Sequence, residues 1–163
     1  MFDDGASLER AYEAVAARGY GTGDINVLMS DAARSRYFAQ DREVNLELGR
    51  KVEEGGELGG PMGGAIGTVL PAVIAVGVVA LPGLGMVLAG PVAAALTAAG
   101  AAGVAMGVIG LLGDWGIPEE RARQYEAGIR DGGILLTVRA RNAEDATHFE
   151  REWHSIGGRN VQT

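Results

Sequence analysis

Cysteine is absent from this 163-residue chain. Its absence excludes a disulfide framework, thiolate zinc sites and a cysteine nucleophile, and it suits a reducing compartment. Histidine is scarce, with 2 residues, and aromatic side chains make up 6%. A basic surplus is also lacking: 14 Lys+Arg stand against 21 Asp+Glu, a formal net charge of −7. No stripe of cations is available to displace counterions from phosphates, which argues against nucleic acid as a partner. The start shows neither a basic n-region nor an apolar h-region, so no signal peptide is expected. The largest absence is local. From Leu58 to Gly113 no side chain is charged, a run of 56 residues.

What is present divides accordingly. Residues 1–57 read as the N-terminal half of an α+β domain plus a linker helix. Residues 58–113 form an apolar interval, and residues 114–163 form the C-terminal half. In the first part, Ser7 is expected to cap a helix with Leu8, Ala11, Tyr12 and Val15 on one face. Gly19 suits its C-terminal end. Ile25, Val27 and Met29 alternate with Asn26 and Leu28, a short strand buried on one face. Residues 30–57 are polar and read as a loop followed by a helix over Asn45–Glu54. In the last part, Pro118, Glu119 and Glu120 open a helix with Ala122, Tyr125 and Ile129 on its apolar stripe. Ile134 to Ala140 alternates as a strand. Asn142 caps a helix whose stripe is Ala146, Phe149, Trp153 and Ile156, and Arg159 to Thr163 reads as a final edge strand. Alternating strands and helices imply a small βαβ/αβα-type sheet with helices packed on a face, ferredoxin-like in flavour.

The interval holds 14 Gly and 13 Ala. Its pattern predicts a long helical hairpin: one helix from Pro61 to about Ala80, a break at Leu81-Pro82-Gly83-Leu84-Gly85, and a second helix from Gly90-Pro91 to about Leu112. Gly60, Gly63, Gly64, Gly67, Gly100, Gly103, Gly107 and Gly110 recur at three- and four-residue spacing. Such a stripe lets helix backbones approach closely, so these eight are the candidate helix-packing and self-association residues. Each interior glycine costs about 1 kcal/mol relative to alanine, so a packing partner is required. Helices apolar all round need burial on every side. A bilayer provides that, with both polar flanks on the cytoplasmic side, since each helix is about 20 residues long. A homo-oligomer with a shared core provides it equally, in a soluble cytoplasmic form.

The residues Phe2-Asp3-Asp4, Ala11, Gly19-Tyr20 and Asp24-Ile25-Asn26-Val27-Leu28 resemble the start of the bacterial heat-induced stress protein domain, the YflT-like general stress family. The interval, its tip and Ala89-Gly90-Pro91 are similar to members carrying a glycine-zipper insert. So is the exit Gly116-Ile117-Pro118-Glu119-Glu120, Ala122, Tyr125-Glu126 and Gly128, followed by Gly132-Gly133-Ile134-Leu135-Leu136-Thr137-Val138. The family's usual first strand is nearly missing here. The resemblance implies a stress-associated protein and supplies no catalytic residues.

Chemistry is thinly represented. His148 and His154 are six apart on one expected helix and point about 240° apart, so they do not share a metal. Gly19-Tyr20-Gly21-Thr22-Gly23 precedes a strand and lacks the lysine of a phosphate-binding loop. No serine stands in a nucleophile-elbow context. The expectation is therefore a non-enzymatic protein with no catalytic, metal or cofactor site. Its hairpin inserts into a membrane and self-associates, or alternatively assembles soluble homo-oligomers; a small-molecule binder or enzyme is the remote alternative.

Overall fold

A computed structural model describes residues 1–38, 69–81, 84–99 and 107–163. Asp4 caps the first helix, α1 (Gly5–Ala16): its carboxylate accepts from the Ser7 N–H at 2.8 Å and the Ser7 hydroxyl at 2.9 Å. The cap is therefore Asp4 rather than Ser7, because Ser7 turns inward and is buried. Leu8, Ala11 and Val15 form the buried stripe as expected. A single 3-10 turn (Thr22–Asp24) leads into β1 (Ile25–Ser30).

The loop expected after β1 is a helix, α2 (Asp31–Phe38). The Ser30 hydroxyl accepts from the Ala33 N–H at 3.1 Å and supplies the N-terminal partner that starts it. The expected helix at Asn45–Glu54 lies outside the described residues.

The uncharged interval departs most from expectation. Its described parts are a short helix α3 (Val69–Val76), a β-hairpin of β2 (Val78–Leu81) and β3 (Met86–Ala89), and two further short helices, α4 (Pro91–Ala98) and α5 (Gly107–Asp114). The first helix thus stops at Val76 instead of reaching Ala80, and the expected interhelical break is the hairpin turn. Adjacent β-branched residues at 78 and 79 favour a pleated strand over a helix. Two glycines make the junction. The Gly90 N–H donates to the Gly77 carbonyl at 2.8 Å. A Cβ on Gly77 would stand 2.7 Å from Ala94, and one on Gly90 would stand 2.5 Å from the Ile25 carbonyl.

The remaining elements are α6 (Glu119–Arg130), β4 (Ile134–Val138) and α7 (Ala143–Ser155), close to the expected bounds. Asn142 caps α7 as expected, its side chain accepting from the Asp145 N–H at 2.8 Å. The tail is not a strand: Asn160 has φ of 51° and bends it.

The four strands form one sheet in the order β2-β3-β1-β4, every neighbouring pair antiparallel. β1 and β2 therefore run parallel with β3 between them, a split βαβ arrangement. Helices cover both faces instead of one. Ile25, Val27, Met29, Ile134 and Leu136 face a core with Leu8, Ala11 and Val15 of α1, Val73 of α3, and Phe149 and Trp153 of α7. Leu28, Leu88 and Leu135 face a second core with Ala93 of α4, Val108 and Leu112 of α5, and Ala122, Tyr125 and Ile129 of α6. Strand β1 is accordingly buried on both sides, which explains why Leu28 is apolar between the inward positions 27 and 29. The interval thus supplies half the strands of the sheet and most of the helical cover on one face.

Candidate functional site

The glycines expected to pack helices divide as follows. Gly60, Gly63, Gly64, Gly67, Gly100 and Gly103 lie outside the described residues. Gly107 begins α5 with φ of 64°, and among the described residues nothing lies within 4 Å of where its Cβ would stand. Gly110 is half-buried on the same helix. Among the interval's described glycines, Gly77 and Gly90 make close approaches, at junctions between strand and helix. Among the described residues no helix is long and apolar enough to cross a membrane.

The most connected polar cluster joins the start of α7 to the connection between α1 and β1. Asp145 is buried, and its carboxylate accepts from the Tyr20 hydroxyl at 2.7 Å, from Asn142 Nδ2 at 3.0 Å and from Arg18. The Tyr20 hydroxyl in turn accepts from the Arg141 N–H at 2.8 Å. The Arg141 guanidinium lies 4.1 Å from the centre of the Tyr20 ring and reaches Asp24 at 3.2 Å. The Tyr20 hydroxyl, Arg18 and Asn142 hold the Asp145 carboxyl below its usual range, the tyrosine being the largest cause. Burial pushes the Tyr20 phenol up. Every polar group here is engaged by another, so the cluster fastens two elements rather than presenting a reactive group. Asp145 stands in the first turn of α7, where an acid is expected on local grounds alone; its partners Arg18 and Tyr20 come from the other end of the chain and leave no local signal.

His148 is half-buried with its ring 5.9 Å from Phe149, and His154 is exposed. Among the described residues no group of three His, Cys, Asp or Glu side chains could hold a metal ion.

A concavity of about 650 Å³ follows the outer edge of β4. On one side it is walled by Phe149 and Trp153 of α7, on the other by Trp115, Ile117 and Tyr125, and the tail Asn160–Thr163 closes it outward. The tail is anchored by the Tyr125 hydroxyl, which donates to the Asn160 carbonyl, and by Arg121, which donates to Gln162. Its floor is strand backbone. Phe2 and Ile134 exchange both N–H···O bonds at 2.8 Å, so the backbone groups of Ile134 point outward from the sheet. The Arg139 N–H donates inward to the Asp24 carbonyl at 3.0 Å. Because these directions alternate along a strand, Leu136 and Val138 also turn their N–H and C=O groups outward. The charges along the groove, Asp114, Arg121, Arg139 and Glu150, are of both signs.

The chain matches no protein-family model, no curated protein and no solved structure.

Proposed function

We propose that this protein is non-enzymatic and stress-associated, and that it works by associating with itself through the surface its uncharged interval provides. The stress association rests on the resemblance carried by the Phe2-Asp3-Asp4 and Gly116–Tyr125 segments. The observation that carries self-association is β2. It lies at the outer edge of the sheet, has no charged residue, and leaves Val78 40% exposed beside the half-buried Val79. Edge strands are ordinarily guarded by lysine, proline or a bulge, and β2 contains neither of those residues. An apolar edge of this kind is a template for pairing with a second copy. Half-buried Val92, Leu96, Ile109 and Leu111 extend the apolar surface over α4 and α5.

Membrane insertion of the interval is the competing reading, and it rests on the same absence of charge. It asks more of the chain, because β2 and β3 must leave the sheet and the core of the second face must come apart. The test is light scattering of the full chain in detergent-free buffer, beside flotation with vesicles of mixed zwitterionic and anionic phospholipid. A discrete oligomer that Val78→Lys reduces to monomer supports the proposal. A monomer at every concentration refutes it, and flotation with the vesicles favours insertion.

A further inference from the structure

We propose that the groove along β4 is an acceptor slot for one extended, apolar strand of another polypeptide, laid antiparallel to β4 and bonded to the outward backbone groups of Leu136 and Val138. Four observations combine. First, among the described residues nothing bonds to those outward N–H and C=O groups, and Leu136 is only 3% exposed. A buried backbone donor and acceptor left unpaired are costly, so among the described residues the slot is an incomplete sheet edge rather than a finished surface. Second, the register of β1 against β4 independently places Leu136 opposite Val27 and Val138 opposite Ile25. With Arg139 bonded to Asp24, these are the non-bonded pairs of the ladder, whose groups face away from β1. Third, the chain itself shows how the edge is used. Phe2 already occupies the first rung at Ile134 as an antiparallel bridge, and the next outward rungs are the open ones.

Fourth, the walls specify side chains. A strand in the slot points alternate residues to the side of Phe149 and Trp153 and to the side of Trp115, Ile117 and Tyr125. Both are aromatic and apolar, so the occupant is a run of consecutive apolar residues rather than an alternating one. Recognition then follows strand addition, in which backbone bonds supply affinity and side-chain pockets supply selectivity. The occupant is not a second copy offering its own β4. That edge is recessed behind the Asn160–Thr163 tail and the Trp115–Pro118 turn, and two recessed edges do not meet. The slot lies at the opposite edge of the sheet from β2, so the result below is independent of whether β2 mediates self-association.

The test uses the full chain and a synthetic five-residue valine–leucine peptide with a lysine at each end. Fluorescence anisotropy should show saturable binding, weakened about tenfold or more by N-methylation of the alternate amides. Amide exchange should be fast at Leu136 and Val138 in the free chain and slow on peptide addition, while Leu135 and Thr137, bonded to β1, stay protected throughout. Val138→Pro removes one outward donor without touching the ladder to β1 and should weaken binding by a similar factor. Equal binding of the methylated peptide, no binding at all, or amides at Leu136 and Val138 already protected in the free chain overturns the proposal. So does dimerisation through β4 in place of peptide uptake. The exchange measurement needs no variant and decides the matter even where Val138→Pro fails to fold.

Discussion

Replacing Gly90 with alanine separates a strand-forming interval from a helical zipper. Gly90 has φ of 118°, a backbone conformation that side chains rarely adopt. Holding a non-glycine residue there costs about 1–3 kcal/mol. The added Cβ would also stand 2.5 Å from the Ile25 carbonyl and 2.9 Å from Asn26 Oδ1. One of these obstacles is backbone in the middle of the sheet and cannot swing aside. The other is held, since Asn26 Oδ1 accepts from the Val92 N–H at 3.0 Å. Overpacking of this type costs about 1–3 kcal/mol. At the middle of both ranges the expected loss is about 4 kcal/mol, a large part of the ~5–15 kcal/mol that holds a typical domain. Gly107→Ala is the control. Gly107 also has positive φ, but among the described residues nothing stands within 4 Å of an added Cβ, so only strain of about 1–2 kcal/mol is expected. Urea denaturation followed by tryptophan fluorescence reads both. With a slope of about 2 kcal/mol per molar, Gly90→Ala should lower the midpoint by roughly 2 M, and Gly107→Ala by about 0.5–1 M. A helical zipper through Gly107 demands the reverse ranking. If Gly107→Ala proves the costlier of the two, or Gly90→Ala is close to neutral, the strand-and-helix junction is wrong.

Other expectations follow from the same geometry. Val73 is fully buried between α3 and the sheet, so Val73→Ala should destabilise by about 2 kcal/mol in the same urea assay; no loss would detach α3 from the core. Asp4→Ala removes the cap of α1 and should cost about 1 kcal/mol, read by thermal unfolding. The folded-state pKa values of Asp4 and Asp145 are both depressed, the first chiefly by the Ser7 backbone bond and the second chiefly by Tyr20. Each therefore contributes stability that is present above the ordinary value of 3.8 and lost as pH falls through the lower folded-state value. Asp145→Asn should accordingly be less stable than the parent at neutral pH and converge with it in acid. A gap that persists unchanged at the lowest pH at which both fold would show that the charge of Asp145 is not what fastens α7.

The flanking segments were legible because their signals are local. Leu8, Ala11 and Val15 carry the helical period in adjacent turns, and so do Ala122, Tyr125 and Ile129. Asn142 declares its own cap three residues before Asp145. The interval was not legible by the same means. Its alanines and glycines fit a helix at any register, and its two short strands carry no alternation of apolar with charged residues: both faces of β3 are buried, and β2 is apolar even where it is exposed. Gly90 reads from the sequence only as the opening of a helix at Gly90-Pro91; the carbonyl of Ile25, far off in the chain, is what requires a glycine there. The groove was invisible for a related cause. Tyr125, Phe149 and Trp153 each belong to an apolar stripe and read as core, while the open backbone of Leu136 and Val138 carries no residue-type signal at all.

The sequence by itself determined the uncharged interval, the acidic flanks, the helices that bracket β4 and the absence of thiol chemistry, since these depend on composition and near-neighbour spacing. Tertiary structure decided what the interval becomes, which faces of the sheet are covered, and that Tyr20 meets Asp145. These depend on pairings between residues far apart in the chain. The energy of a strand lies in the neighbour it bonds to, and a sequence of small apolar residues does not state which neighbour that is.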